Sequence, residues 1–229
     1  YDQPNLLFVN NGDGTFTERA KEYGLDIKDA SVHAVFADYD RDGHLDVYLV
    51  TNILDFSKAP QGRRDFLFRN NRNGTFSDQL KTSIGHTSHF SMGSDVADIN
   101  NDALPDIFTL DMLPEDNRRQ KLLFAPDNYE KFDLNLRSGF YYQYMRNMLH
   151  VNNGNGTFSE IGQLAGISNT DWSWASLFAD FDNDGWKDLF VTNGYLREST
   201  NLDFIKYNVA KALDEANQKG LDVSTRAAY

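Results

Sequence analysis

The sequence predicts an all-β fold made of repeated four-stranded antiparallel blades, and three observations predict it. A twelve-residue hairpin element occurs three times, each copy precedes an acidic nine-residue loop, and the distance between the two is constant. The hairpin element reads Asn5-Leu-Leu-Phe-Val-Asn-Asn-Gly-Asp-Gly-Thr-Phe16, then Asp65-Phe-Leu-Phe-Arg-Asn-Asn-Arg-Asn-Gly-Thr-Phe76, then Asn147-Met-Leu-His-Val-Asn-Asn-Gly-Asn-Gly-Thr-Phe158. The loops occupy 38–46, 98–106 and 180–188. From Asn10 to Asp38, Asn70 to Asp98 and Asn152 to Asp180 the offset is 28 residues each time, whereas Asp38 to Asn70 spans 32 and Asp98 to Asn152 spans 54. A fixed core with variable insertions is the pattern of a repeat fold whose loops grow on one side.

Each element follows from local chemistry. Leu6 to Val9 and Phe16-Thr17 flank Asn-Gly-Asp-Gly, a hairpin turn whose residues tolerate positive φ. Short apolar runs bound the acidic loops, Ser31 to Ala37 and Val47 to Val50 around the first, Ala175 to Ala179 and Leu189 to Val191 around the third. Those lengths suit strands better than helices. Ala37, Ala97 and Ala179 stand directly before the loops, and Phe36, Val96 and Phe178 before them. Alternation then makes one strand face small and the other bulky, as inner strands packed near an axis require.

Each unit is two hairpins, and four antiparallel strands make a propeller blade. Residues 1–229 read as one propeller segment that starts on the second hairpin of one blade and ends on the first hairpin of another, with two full blades between. A ring takes about four to eight blades. The expectation is a partial or open propeller, completed by the remaining blades of a longer parent chain, with helical insertions at about 111–146 and 195–229.

The charge of −12 disfavours nucleic acid and anionic membrane surfaces as partners. The absence of cysteine excludes disulfides, thiol catalysis and zinc–thiolate or iron–sulfur sites. No apolar run is long enough to span a bilayer. The chain opens at Tyr1 without a signal-peptide pattern, so any targeting segment is expected outside this piece.

The acidity is concentrated in the loops, which hold eleven Asp, and positions 1, 3, 5 and 9 of each carry Asp or Asn. Calcium takes six to eight hard oxygens, and a Gly at position 6 permits the tight turn that aims alternate ligands inward. The predicted shells are Asp38, Asp40, Asp42 and Asp46 with the carbonyl of His44, and Asp180, Asp182, Asp184 and Asp188 with the carbonyl of Trp186. The second shell is Asp98, Asn100, Asp102 and Asp106 with the carbonyl of Leu104. There Asn100 replaces a carboxylate and Ala103 stands where Gly is wanted, so that site is expected to bind more weakly or to hold a different turn. Two like charges 4 Å apart repel by about 1 kcal/mol even in bulk water, so four carboxylates on nine residues call for a cation. Up to three Ca2+ are expected, in a structural role, because loops filled by protein oxygens leave no open position for a substrate.

These loops and the Asn-Asn-Gly-Asp-Gly-Thr-Phe hairpins resemble the FG-GAP/VCBS repeats of integrin-α-like propellers. The variant looks like bacterial proteins that pair such repeats with an ASPIC/UnbV domain, related to cartilage acidic protein. Asp111-Met-Leu-Pro114, Gln143-Tyr-Met-Arg-Asn147 and Thr192-Asn-Gly-Tyr-Leu196 look like the surface or lipoprotein members from Bacteroidetes. The resemblance implies an exported, calcium-stabilised propeller used for adhesion or ligand binding: extracytoplasmic, at the cell surface, as an outer-membrane lipoprotein or secreted.

Function is then expected on the insertions. The first mixes a basic helical stretch, Arg118-Arg-Gln-Lys121, with Phe140, Tyr141, Tyr142 and Tyr144. These aromatics suit protein or sugar binding, and equally packing of the insertion onto its own blade, which is the favoured expectation. Trp172 and Trp174 alternate and are expected to share a strand face for packing between blades. In the tail, Leu202, Ile205, Val209, Leu213 and Ala216 form a helical stripe over 201–219, with Thr200 and Asp203 as cap and Gly220 as stop. Among His33, His44, His86, His89 and His150 there is no zinc motif, and no Gly-x-Ser-x-Gly elbow or helix-opening Gly-x-Gly occurs. The expectation is a non-enzymatic module binding protein or carbohydrate. The alternative is an accessory or catalytic propeller segment of a glycan-processing enzyme, marked by Asp, Glu, Arg and Tyr converging near residues 111–146; a third reading is an architectural spacer.

Overall fold

Local turn chemistry sets the first hairpin of the chain. In the computed structural model, which describes residues 3–52, 64–123, 129–194 and 201–218, β1 (Phe8–Asn10) pairs with β2 (Phe16–Glu18). Asn10 Oδ1 accepts the Gly12 N–H, and Asp13 Oδ1 accepts both the N–H and the hydroxyl of Thr15. The same bonds recur at Asn70, Asn73 and Thr75 and at Asn152, Asn155 and Thr157. The repeat therefore extends to individual hydrogen bonds.

A one-turn helix, α1 (Ala20–Tyr23), follows and ends on left-handed Gly24. Then β3 (Ser31–Ala37), β4 (Asp46–Thr51), β5 (Phe66–Asn70) and β6 (Phe76–Asp78) form a four-stranded antiparallel sheet in chain order. After α2 (Leu80–Ser83) and the short β7 (Thr87–Ser88), the second sheet begins with β8 (Gly93–Ala97) and β9 (Asp106–Leu110). The insertion carries α3 (Asn117–Leu123), α4 (Tyr129–Arg137) and β10 (Gln143–Tyr144). The sheet is completed by β11 (Met148–Asn152) and β12 (Phe158–Glu160) in the order β8-β9-β11-β12. A last hairpin, β13 (Ser173–Ala179) with β14 (Asp188–Asn193), stands as a two-stranded sheet, and α5 (Leu202–Gln218) ends the described chain. One pair departs from the antiparallel expectation: β10 runs parallel to β7. A parallel pair needs a long crossover, and the insertion supplies it.

The chain divides into two compact units, residues 1–113 with 128–194 and residues 114–127 with 195–229. Among the described residues, the first holds all the strands. In the second, α3 contacts α5.

Strand alternation builds the core of the first unit. On β4, Tyr48 and Val50 enter a cluster with Leu67, Leu80, Ile84, Ile107 and Phe158, while Val47 and Leu49 enter another with Phe66 and Phe68. On β9, Ile107 joins the first cluster, while Phe108 and Leu110 pack with Leu149 and the partly buried Phe178, Leu189 and Val191. Inner strands are thus covered on both faces, as stacked blades require. The innermost strands β3, β8 and β13 are neighbours. They are tied by Phe178 N–H donating to Asp95 Oδ2 at 2.6 Å and by His33 Nδ1 lying 3.2 Å from Ser94 Oγ.

Two fully buried carboxylates fasten the blades. Asp65 accepts from Thr51 N–H, the Tyr48 hydroxyl and the Ser91 hydroxyl. Asp111 accepts from the Ser88 hydroxyl and from the N–H groups of His89, Phe90 and Met112. Burial pushes Asp65 up to about 7 and Asp111 to about 6, against those hydrogen bonds.

Three expectations need correction or placement. Trp172 precedes β13, and a bulge between Ser173 and Ala175 interrupts the strand at Trp174, so the two do not alternate on one regular strand. The α5 cap is Asn201, whose Oδ1 accepts from Asp203 N–H and Phe204 N–H; Thr200, Gly220 and residues 219–229 lie outside the described residues. An Asn side chain one residue closer reaches those free N–H groups directly. Along the stripe, Ile205, Val209 and Leu213 are exposed.

Candidate metal centre

The three acidic loops fold into one turn through one bonding scheme. The carboxylate at position 1 accepts the N–H groups of positions 5 and 6: Asp38 from Asp42 and Gly43, Asp98 from Asp102 and Ala103, Asp180 from Asp184 and Gly185. The position-5 carboxylates of Asp42, Asp102 and Asp184 accept the N–H of His44, Leu104 and Trp186. The position-9 carboxylates of Asp46, Asp106 and Asp188 reach back to the N–H of Tyr39, Ile99 and Phe181. Position 6 is left-handed in all three, at φ 85° for Gly43, 67° for Ala103 and 92° for Gly185. Ala103 therefore holds the same turn as Gly, at a cost of about 1 kcal/mol.

Oxygens converge in two of the loops. Among the described residues, one carboxylate oxygen each from Asp38, Asp40 and Asp42 lie within 4.8 Å of one another, and so do those from Asp180, Asp182 and Asp188. A calcium ion holds its oxygens at about 2.3–2.6 Å, so ligands on one ion stand at most about 5 Å apart, and both groups fit a divalent cation. In the first loop Asp40 Oδ1 is buried and accepts no hydrogen bond. In the second, Asn100 Nδ2 donates to Asp102 Oδ2 at 3.0 Å, so an amide nitrogen occupies what a third carboxylate would otherwise offer.

Arg69 and Arg72 went unnoticed in the sequence. Arg69 Nε lies 2.6 Å from Asp40 Oδ2, and Arg72 NH2 lies 2.8 Å from Asp42 Oδ2. They replace Val and Gly of the other hairpin copies, which is the signal that marks them. Desolvation works against ionisation of Asp42, but the Arg72 and His44 hydrogen bonds hold its carboxyl below the usual range. Burial pushes Asp46 up to about 6, opposed by the Asn70 N–H and reinforced by the charges of Asp40 and Asp42. Asp106 is raised by burial in the same way.

A second polar group gathers where the insertion rejoins the sheet. Arg146 NH2 lies 2.9 Å and His86 Nε2 3.4 Å from Glu160 Oε2, while Glu160 Oε1 accepts the Gly162 N–H. Tyr144 stacks on Phe132, with the His86 ring edge-on and the Arg146 guanidinium over its face. Desolvation opposes ionisation of Glu160, but the His86 and backbone hydrogen bonds and the Arg146 charge hold it down at about 2. Of the predicted aromatics, Tyr141 packs against the core and donates its hydroxyl to the Ile84 carbonyl, while Tyr142 is exposed.

His150, fully buried beside this group, has Nε2 at 3.1 Å from the His86 carbonyl and is held neutral, its pKa lowered to about 4 by burial first. The unfolded chain takes up that proton below its ordinary pKa of about 6.5 and the folded chain does not. This residue's stabilisation is therefore complete above about 6.5 and lost as pH falls toward 4. The check is imidazole NMR, with an expected midpoint near 4 for His150; a midpoint above 6 would contradict the burial.

No curated protein matches the chain. The FG-GAP-like repeat matches residues 1–49, 53–109 and 134–191. Each segment contains one copy of the hairpin element and the third ends within β14, so the matches follow the structural repeat, and the chain belongs to the FG-GAP-like repeat family.

Proposed function

We propose that this chain is a calcium-stabilised, non-enzymatic propeller module that binds protein or glycan, works outside the cytoplasm and resembles the ASPIC/UnbV-associated proteins of Bacteroidetes. The observation that carries the metal reading is the convergence of Asp38, Asp40 and Asp42, and of Asp180, Asp182 and Asp188, on turns of one geometry. The donors are all hard oxygens, which suit calcium over softer metals. Position-9 carboxylates Asp46 and Asp106, the remaining acids Asp98, Asp102 and Asp184, the Asn100 amide and the carbonyls of His44, Leu104 and Trp186 complete the three sets. The ion supplies charge compensation and crosslinks the loop; the protein's own hydrogen bonds already set its turn. Family membership and the absence, among the described helices, of one long and apolar enough to cross a membrane are compatible with a surface or secreted location.

Thermal unfolding of the chelated protein, titrated with Ca2+ and then Mg2+, tests this reading. A ligand at 100 times its Kd stabilises by about 2.7 kcal/mol per site, so the expected result is a calcium-selective rise in Tm. Two sites saturate first and the Asn100 loop last. An unchanged Tm, with no metal retained, sinks the calcium reading.

The alternative, a segment of a glycan-processing enzyme, draws on Arg146, Glu160, His86 and Tyr144 coming together at the insertion. Against it, Glu160 is already engaged by Arg146, His86 and the Gly162 N–H, the pattern of a structural clasp.

A further inference from the structure

The residue after the Asn-Asn pair is Gly12, Arg72 and Gly154 in the three hairpins, and all three are left-handed, at φ 83°, 62° and 71°. That backbone is free for glycine and strained for a residue with a Cβ. The turn itself makes no use of the arginine side chain, because Arg72 N–H donates to Asn70 Oδ1 just as Gly12 N–H donates to Asn10 Oδ1. What the guanidinium touches must account for a side chain held on strained backbone.

It lies on Asp42 Oδ2, with Nε at 2.9 Å and Nη2 at 2.8 Å. Asp42 Oδ1 is already held by the His44 N–H, so Oδ2 is the oxygen that this carboxylate has left to turn to a cation. Arg69 engages the loop differently. Its Nε holds Asp40 by Oδ2 and leaves Asp40 Oδ1 buried and accepting no hydrogen bond.

The exposures of the two partners are unequal. Beneath the guanidinium groups the Asp42 side chain is only 6% exposed, whereas that of Arg72 is 53% exposed. A carboxylate so covered needs a positive partner at all times. Arg72 can withdraw into water once another cation takes that place.

We propose that Arg72 is a built-in counter-ion of the first acidic loop and competes with calcium for Asp42 Oδ2. The inference rests on the calcium reading of that loop. Arg72 balances the charge of the empty loop and moves to solvent when the loop fills. The first site is therefore weaker than its four carboxylates alone would make it.

The test is a calcium titration of the whole chain, followed by NMR at the Gly43 and Gly185 amides. These N–H groups donate to Asp38 and Asp180, so each reports on its own loop. Arg72→Gly restores the residue of the other two hairpins. It is expected to raise calcium affinity at Gly43 by about tenfold, since it removes a positive charge a few ångströms from a divalent ion. The affinity at Gly185 is expected to stay unchanged, which also shows that the variant folds. Arg72→Lys keeps the charge and is expected to stay within about threefold of wild type at Gly43. No gain at Gly43 in Arg72→Gly, an equal gain at Gly185, or the same gain in Arg72→Lys overturns the proposal while leaving calcium at the loop. A Gly43 amide that ignores calcium in both wild type and Arg72→Gly removes the calcium reading, and the proposal with it.

Discussion

Asp111→Ala is expected to cost about 3–5 kcal/mol of folding stability at neutral pH, read by urea denaturation. Asp111 is fully buried, and its oxygens accept from the Ser88 hydroxyl and from three backbone N–H groups, those of His89, Phe90 and Met112. Alanine leaves all four donors without an acceptor, and each orphaned buried donor costs about 1–3 kcal/mol before relaxation or water entry. Asn is no rescue, since its amide nitrogen would face either the Met112 N–H or the three donors on the other oxygen. A loss below about 1 kcal/mol would mean that the carboxylate is not the hub of this corner.

The same residue has a pH signature. Burial raises Asp111 from 3.8 to about 6, so between those values the folded protein keeps a proton that the unfolded chain has lost. Its contribution is fully present below about 4 and declines by about 3 kcal/mol as pH rises to 6 and beyond. Asp65, raised to about 7, adds to that slope, while His150 works the opposite way. The difference between wild type and Asp111→Ala, measured across pH 4 to 7, isolates the term.

Gly93→Ala is the second large effect, expected to cost about 3 kcal/mol, near the top of the usual range for overpacking. A Cβ on Gly93 would lie 2.5 Å from the Trp174 carbonyl oxygen and 3.4 Å from Ala175 Cα. These are backbone atoms of the next hairpin, so no rotamer change relieves the clash. One of the two must move, and with it the Phe178–Asp95 hydrogen bond. Gly85→Ala is the control, because nothing lies within 4 Å of its Cβ position; it is expected to change stability by less than about 0.5 kcal/mol. Equal losses at the two glycines would mean that close approach of the blades is not the cause.

Much of the site was legible because it is local. The turn at Asp38, Asp42 and Gly43 is made by bonds spanning two to five residues, and its carboxylate spacing is written in the chain. Strands around each loop were readable from short apolar runs bounded by turn residues, and β3 and β13 begin and end near the expected residues. Arg69 and Arg72 were not, since they reach loop residues about 30 positions away and no local rule pairs them. The break in alternation at Trp174 escaped for the same reason: a bulge is set by the partner strand.

The sequence by itself determined the repeat, the hairpins and the acidic turns, whose energetics lie within a few neighbouring residues. Only the tertiary structure decided which face of β4 meets which neighbour, that Asp65 and Asp111 become buried hubs, that β7 and β10 run parallel, and that only two acidic loops bring three carboxylates together. Those outcomes depend on groups far apart in the chain, whose meeting is settled by packing and desolvation once the blades stack.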